Sequence, residues 1–143
     1  SQRAIVRLRG DGRDKLVHKL RLKAQQAAKQ ARRAFVPVIE FAGDTEVAIS
    51  STDESDVRLA LHEQASGSIA EVLPAASTAG VSIDGVALIV GPEGGISPAE
   101  LDEFAAAGVI PVRMGPEVLR SSTAGTVALG WVMGATGRWT VGD

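Results

Sequence analysis

Val86–Val90 (VALIV) is an unbroken apolar run that stops on Gly91-Pro92-Glu93-Gly94-Gly95, and Ser97, Pro98 and Glu100 follow at once. A continuous apolar run of this length is expected of a strand covered on both faces. Ser97 reads as an N-cap, Pro98 suits the first helical position, and Glu100 completes a capping box. Strand, glycine-rich turn and capped helix in direct succession make a βα unit, and the same alternation recurs along the chain. Val57–Leu61 reads as a strand ending at His62-Glu63, and Ser68–Ala79 as a helix despite Pro74. The helix from Pro98 should run to about Ala107, with Gly108 ending it. Val109–Met114 reads as a strand, Gly115–Leu119 as a loop, and Ser121–Gly137 as a closing helix of small residues. The pattern predicts an α/β fold, a mainly parallel sheet with helices on both faces.

The first third of the chain reads differently. Ala4–Leu8 is a short strand candidate, followed by a turn at Gly10–Gly12. Asp11 or Asp14 is positioned to cap a helix running to about Ala34. Its apolar positions Leu16, Leu20, Ala24, Ala27, Ala28 and Ala31 recur at three- and four-residue steps. Phe35–Phe41 reads as a strand or edge segment. Gly43–Ser55 reads as a polar loop in which Glu46–Ser50 is a short strand or helix.

Charge separates the same two regions. Residues 1–34 hold 11 of the 15 Lys and Arg and only two acids, a surplus of nine positive charges inside a chain whose net charge is −2. Clustered cations of this kind suggest a polyanionic partner such as nucleic acid, with a merely solvated helix face as the equal alternative. With 143 residues and no cysteine, one domain is expected, and disulfide frameworks, thiolate metal sites and cysteine nucleophiles are excluded. Two distant histidines, His18 and His62, make a metal site unexpected. The apolar runs are too short to span a membrane, and the basic start lacks the apolar segment of a secretion signal. A reducing, cytoplasmic setting is the expectation.

In a parallel sheet, ligands gather outside the carboxyl ends of the strands. Three such ends are visible: Leu61-His62-Glu63, Gly91–Gly95 and Met114–Leu119. The GPEGG segment lacks the lysine of a phosphate loop and does not match the dinucleotide fingerprint. Glu93 would repel phosphates. Main-chain groups freed by glycine point to a nucleoside as ligand, against the plainer reading of a tight turn before a capped helix. Arg120 stands at the third strand end, where its planar guanidinium can hold an anion or a base edge. Ser121 and Ser122 read as N-caps for the closing helix. With no histidine or aspartate nearby in sequence, they make weak hydrolase nucleophiles. His62 is either a base or a packing residue, and Met114 either core or pocket wall. Trp131 and Trp139 flank a small-residue helix that suits a dimer interface and an internal core helix equally.

Leu88–Phe104 (LIVGPEGGISPAELDEF) and Val112–Ala124 (VRMGPEVLRSSTA) together resemble the RsmE-type 16S rRNA uridine-N3 methyltransferases of the SPOUT class. Gln2–Leu8, Ala27–Pro37 and Leu59–Glu63 (LALHE) agree in order with the family's upstream motifs. The resemblance implies an α/β fold with a C-terminal trefoil knot, a homodimer, and S-adenosylmethionine as cofactor. It implies a cofactor cradle of Leu61, His62, Val90, Gly91, Glu93, Gly94, Met114, Gly115, Leu119 and Ser122. It sets Arg120 against the target uridine, and Arg3, Gln30, Arg32 and Arg33 against 16S rRNA of the small ribosomal subunit. It also leads one to expect an N-terminally incomplete methyltransferase domain over 1–143, without the RNA-binding β-barrel common in the family. Family members often carry Glu where this chain has Ser122. Glu93 and His62 are candidate proton acceptors. The competing readings are a non-catalytic RNA-binding fragment, a nucleotide-binding or phosphotransfer α/β module, and a serine hydrolase acting through Ser121.

Overall fold

The computed structural model describes residues 11–40, 44–78 and 83–139. These fall into two units, residues 11–40 on one side and 44–78 with 83–139 on the other. The expected strand at Ala4–Leu8, the RNA-contact candidate Arg3, and Phe41 and Ala79 lie outside the described residues.

In the first unit, α1 spans Asp11–Gln30. Asp11 is its first residue and Asp14 lies inside it, so Asp14 does not cap the helix. Leu16 and Leu20, expected on an apolar face, stand exposed. The helix stops four residues short of Ala34 because Arg32 adopts a left-handed backbone (φ 52°). The N–H groups of Arg32 and Arg33 then donate to the carbonyls of Lys29 (3.1 Å) and Ala28 (2.9 Å), the paired bonds of a Schellman ending. Phe35–Glu40 forms no strand. A strand needs a neighbour to satisfy its ladder groups, and no other strand occurs among the described residues of this unit. The Arg21 Nε–H instead donates to the Ile39 carbonyl at 3.0 Å.

The second unit runs α2 (Thr45–Ser50), β1 (Val57–Leu61), α3 (Ile69–Thr78), β2 (Val86–Val90), α4 (Pro98–Ala106), β3 (Ile110–Val112) and α5 (Ser121–Ala135). The Glu46–Ser50 segment is helical because Asp44 caps it, accepting from Val47 N–H at 3.0 Å. All strand pairing is parallel, in the order β2-β1-β3. Pairing aligns Val57 with Val86 and Leu61 with both Val90 and Val112, so the three carboxyl ends share one edge.

The most apolar strand is not the central one. VALIV is an edge strand, half-buried along most of its length, and Val90 is exposed. The central strand is β1, although it carries Arg58. That guanidinium donates to the Ala107 carbonyl and pairs with Asp53 at 2.8 Å. Only the middle of three strands has a neighbour on each side, and the crossovers decide which strand that is. The chain steps from β1 to β2 in one direction, then returns past β1 to β3. With crossovers of one hand, that reversal sends successive helices over opposite faces.

The core follows this division. On one face, Val57 and Leu59 join Ile69 and Leu73 of α3, Val112 of β3, and Ala128 and Val132 of α5. On the other, Ala60 joins Ile96, Val109 and Phe104 of α4, with Ile49 of α2 beside them. Side chains such as Leu59, Ile69 and Leu73 are fully buried, each contributing about 1.5–3 kcal/mol of apolar burial. Helices therefore cover both faces of a parallel sheet, as the alternation predicts.

Candidate active site

The reversal of strand order after β2 is where an open parallel sheet leaves a crevice at its carboxyl edge. A cleft of about 1480 Å³ opens there. Leu61, His62, Val90, Gly91, Glu93, Gly94, Met114, Gly115, Leu119, Arg120 and Ser122, which come from three separate stretches of sequence, all line it. Gln30, Arg32 and Arg33 belong to the other unit, and all three are exposed.

Each wall is shaped by local chemistry. After β2, the Gly95 N–H donates to the Pro92 carbonyl at 2.8 Å, closing a four-residue turn. Gly95 has φ +75°, a conformation that L side chains rarely adopt. Gly91 meets a different demand. A Cβ there would lie 2.7 Å from Ile96 Cγ1, and Ile96 is core. Glycine at 91 lets the turn fold back onto its own helix start, a role distinct from admitting a ligand to the backbone.

After β1, the His62 N–H donates to the Val112 carbonyl at 2.9 Å, extending the pairing with β3 by one residue. The imidazole Nδ1 accepts from the Gln64 N–H at 3.3 Å. In the neutral ring the proton therefore resides on Nε2, which makes His62 a donor rather than an acceptor at its free nitrogen.

After β3, the helix α5 begins at Ser121, and its N-cap is Arg120, extended at φ −61°, ψ 145°. Neither Ser121 nor Ser122 caps the helix as expected, because both already lie within its first turn. Arg120 makes no side-chain cap hydrogen bond. The first N–H groups of α5 thus lack a side-chain acceptor, and the positive end of the helix opens on the cleft beside an exposed guanidinium.

Sequence reasoning passed over Arg113. After residue 34 the chain has only four cations, Arg58, Arg113, Arg120 and Arg138, and two of these line the cleft. Its backbone accepts from the Ile69 N–H and donates to the Gly67 carbonyl, both at 3.0 Å. The Ser68 N–H donates to Glu71 Oε2 at 2.8 Å. The Ser68 N–H and then its hydroxyl hold the Glu71 carboxyl below its ordinary range against the opposing effect of desolvation, with a lesser contribution from the Arg113 charge. The signal available in the sequence was scarcity, since a lone cation at a strand end in an acid-rich region is conspicuous. Glu63, Glu93 and Glu117 also line the cleft, so its charge is mixed. No cluster of metal-ligating side chains occurs among the described residues.

Small residues of α5 serve the chain itself. Ala124, Ala128 and Val132 are buried, a Cβ on Gly125 would touch Val90 Cγ2 at 3.4 Å, and one on Gly130 would touch Trp139 at 3.4 Å.

Known proteins share this architecture. A Legionella pneumophila protein solved in complex with the cofactor SAM superposes with a TM-score of 0.82 and 27% identity, over 94% of this chain and 52% of that one. A ribosomal RNA small subunit methyltransferase E from Neisseria gonorrhoeae, bound to S-adenosyl methionine, gives a TM-score of 0.77 at 22% identity, over 94% and 52%. In sequence, the proteins of Mycobacterium bovis and Mycobacterium tuberculosis named ribosomal RNA small subunit methyltransferase E are each 39% identical over 141 residues. The match covers 96% of this chain and 52% of theirs, so the chain spans about half the length of those relatives. The model of the RNA methyltransferase domain matches residues 1–133. With nearly every residue from the first strand candidate to the end of α5 inside that match, the chain belongs to the RNA methyltransferase domain family.

Proposed function

We propose that this chain carries an S-adenosylmethionine-dependent methyltransferase site acting on N3 of a uridine in 16S rRNA. The observation that carries this reading is the convergence of three strand-end turns on one cleft, with Arg120 at an uncapped helix start on its rim. The relatives' names and the SAM-bound neighbours support the same chemistry.

The cleft suits the cofactor. Main-chain groups of Gly91–Gly95 and Met114–Leu119 would hold its adenosine without a phosphate-binding lysine. Leu61, Val90 and Leu119 would supply apolar walls, and the carboxylates of Glu63, Glu93 and Glu117 suit a cationic ligand. When bound, S-adenosylmethionine supplies an electrophilic methyl group. Methyl transfer is an in-line displacement, so the chain's contribution is chiefly positioning. The uridine must leave its stack to enter the cleft. Its ring nitrogen must lose a proton, and Arg120 would stabilise the anion that results. Of the two candidate proton acceptors, His62 has Nδ1 engaged by Gln64, which leaves Glu93 for the role. Arg3, Gln30, Arg32 and Arg33 would contact the rRNA backbone, which positions the substrate without reading its sequence. A trefoil knot through which α5 threads, a homodimer and a cytoplasmic setting complete the reading.

Mass spectrometry of nucleosides from small-subunit rRNA, after incubation with the chain and S-adenosylmethionine, should reveal N3-methyluridine. Calorimetry that detects no uptake of S-adenosylmethionine would sink the assignment.

A further inference from the structure

The first unit displays an aromatic ring that its fold does not use. Phe104 is a core residue at 4% exposure, whereas Phe35 is 85% exposed. The backbone around Phe35 is held on both sides. Upstream is the Schellman ending, in which Arg32 accepts a left-handed backbone (φ 52°), the only non-glycine residue with positive φ among those described. Glycine is the ordinary occupant of that position, so an arginine there points to a use for its side chain. Downstream, the Arg21 guanidinium holds the Ile39 carbonyl at 3.0 Å, and Pro37 restricts the backbone between. Phe35 thus stands on a segment tethered at both ends, two residues after Arg33, and Arg32 and Arg33 are both exposed.

The charge around it selects the occupant. From Lys15 to Ile39 there are seven cations and no acid, and Glu40 is the first carboxylate after Asp14. A second copy of this face would bring like charges together. A polyanion is attracted to it, and an exposed ring close behind exposed cations is an arrangement that stacks an unpaired base while the cations hold its backbone.

We infer that Phe35 is a stacking residue for an unpaired base of the RNA, with Arg32 and Arg33 on the adjoining phosphates. The inference rests on the proposed RNA substrate and adds to it a contact with a base. The test uses the full chain and two single-stranded RNA oligomers of equal length, one ordinary and one abasic at its central positions. The unaltered chain should prefer the ordinary oligomer. Phe35→Leu should weaken that complex about tenfold while leaving the abasic complex and the salt dependence unchanged, because no cation is removed. Phe35→Trp should retain the preference. If Phe35→Leu affects both oligomers alike, or neither, while Arg33→Gln weakens both and lowers the salt slope by about one, the stacking role is overturned and the RNA reading stands. If the unaltered chain binds neither oligomer, the RNA reading itself fails. A change of sedimentation mass in Phe35→Leu would assign the ring to a protein contact and overturn the inference.

Discussion

Helices α4 and α5 both begin just beyond the end of a strand, and their first turns are built in opposite ways. At α4, Ser97 and Glu100 close the start with a reciprocal capping box. The Glu100 carboxylate accepts from the Ser97 N–H at 2.9 Å and its hydroxyl at 2.8 Å, while the Glu100 N–H donates to Ser97 Oγ at 3.3 Å. Both residues are buried, and the Thr45 hydroxyl reaches Glu100 Oε1 at 3.5 Å, linking α2 to α4. At α5 the cap position holds Arg120, exposed and without a capping bond. One start is closed by side chains, whereas the other has no side-chain cap, its Thr123 N–H donating instead to the Arg120 carbonyl at 2.8 Å. The difference separates a helix start closed by its own side chains from one whose first turn borders the cleft without a side-chain cap.

The largest test of this contrast is Arg120→Ala. Removing a cation from the side of a developing anion should lower methylation by about 100-fold or more. The urea unfolding midpoint should not move, because nothing in the fold depends on that guanidinium. Unchanged turnover in a methyl-transfer assay would remove Arg120 from the mechanism. Glu100→Ala should do the reverse. It strands the buried N–H and hydroxyl of Ser97 and should cost about 2 kcal/mol in equilibrium denaturation; a variant as stable as the parent would show that the capping box is dispensable.

A smaller effect of opposite sign is expected from Arg120→Ser, which supplies the missing cap. Stability should rise by about 1 kcal/mol while methylation is lost. A serine variant no more stable than the parent would mean the first turn of α5 is already satisfied by other means.

The smallest effect concerns a carboxylate that holds backbone N–H groups away from either helix. Asp56 accepts from Gly85 (2.9 Å) and Asp84 (2.7 Å) ahead of β2, and these bonds, Gly85 first, lower its pKa. A lowered carboxyl pKa stabilises the fold above the unfolded-state value, and that contribution is lost as pH falls through the folded-state value. Asp56→Asn should therefore be slightly less stable than the parent at neutral pH, with the gap closing below the ordinary carboxylate range. A gap that persists under strong acid would assign the effect to geometry rather than charge.

Much of this arrangement was legible beforehand where neighbouring residues interact with one another. The capping box at Ser97 and Glu100 and the glycine stop at Gly108 involve groups within a few residues, so composition and spacing suffice. Strand β1 and its end at His62 were visible for the same reason. Errors arose where a partner had to come from elsewhere. Phe35–Glu40 has strand-forming residues but no strand beside it among the described residues. Arg32 ends α1 although nothing in its chemistry favours a left-handed backbone. Ser121 and Ser122 are good caps, yet the chain enters the helix one residue earlier, at Arg120.

The order of apolar runs, glycine turns and caps by itself determined that this chain forms parallel βα units, because each signal acts over a few bonds. It also determined a cationic first third and an acidic remainder, since charge is simply additive. Which strand lies in the middle was decided only in three dimensions. Arg58-bearing β1 takes the centre and VALIV the edge, because crossover direction outweighs the hydrophobicity of any one strand. The meeting of Gly91, Met114 and Arg120 around one cleft was likewise a product of that topology, as no local interaction links residues so far apart.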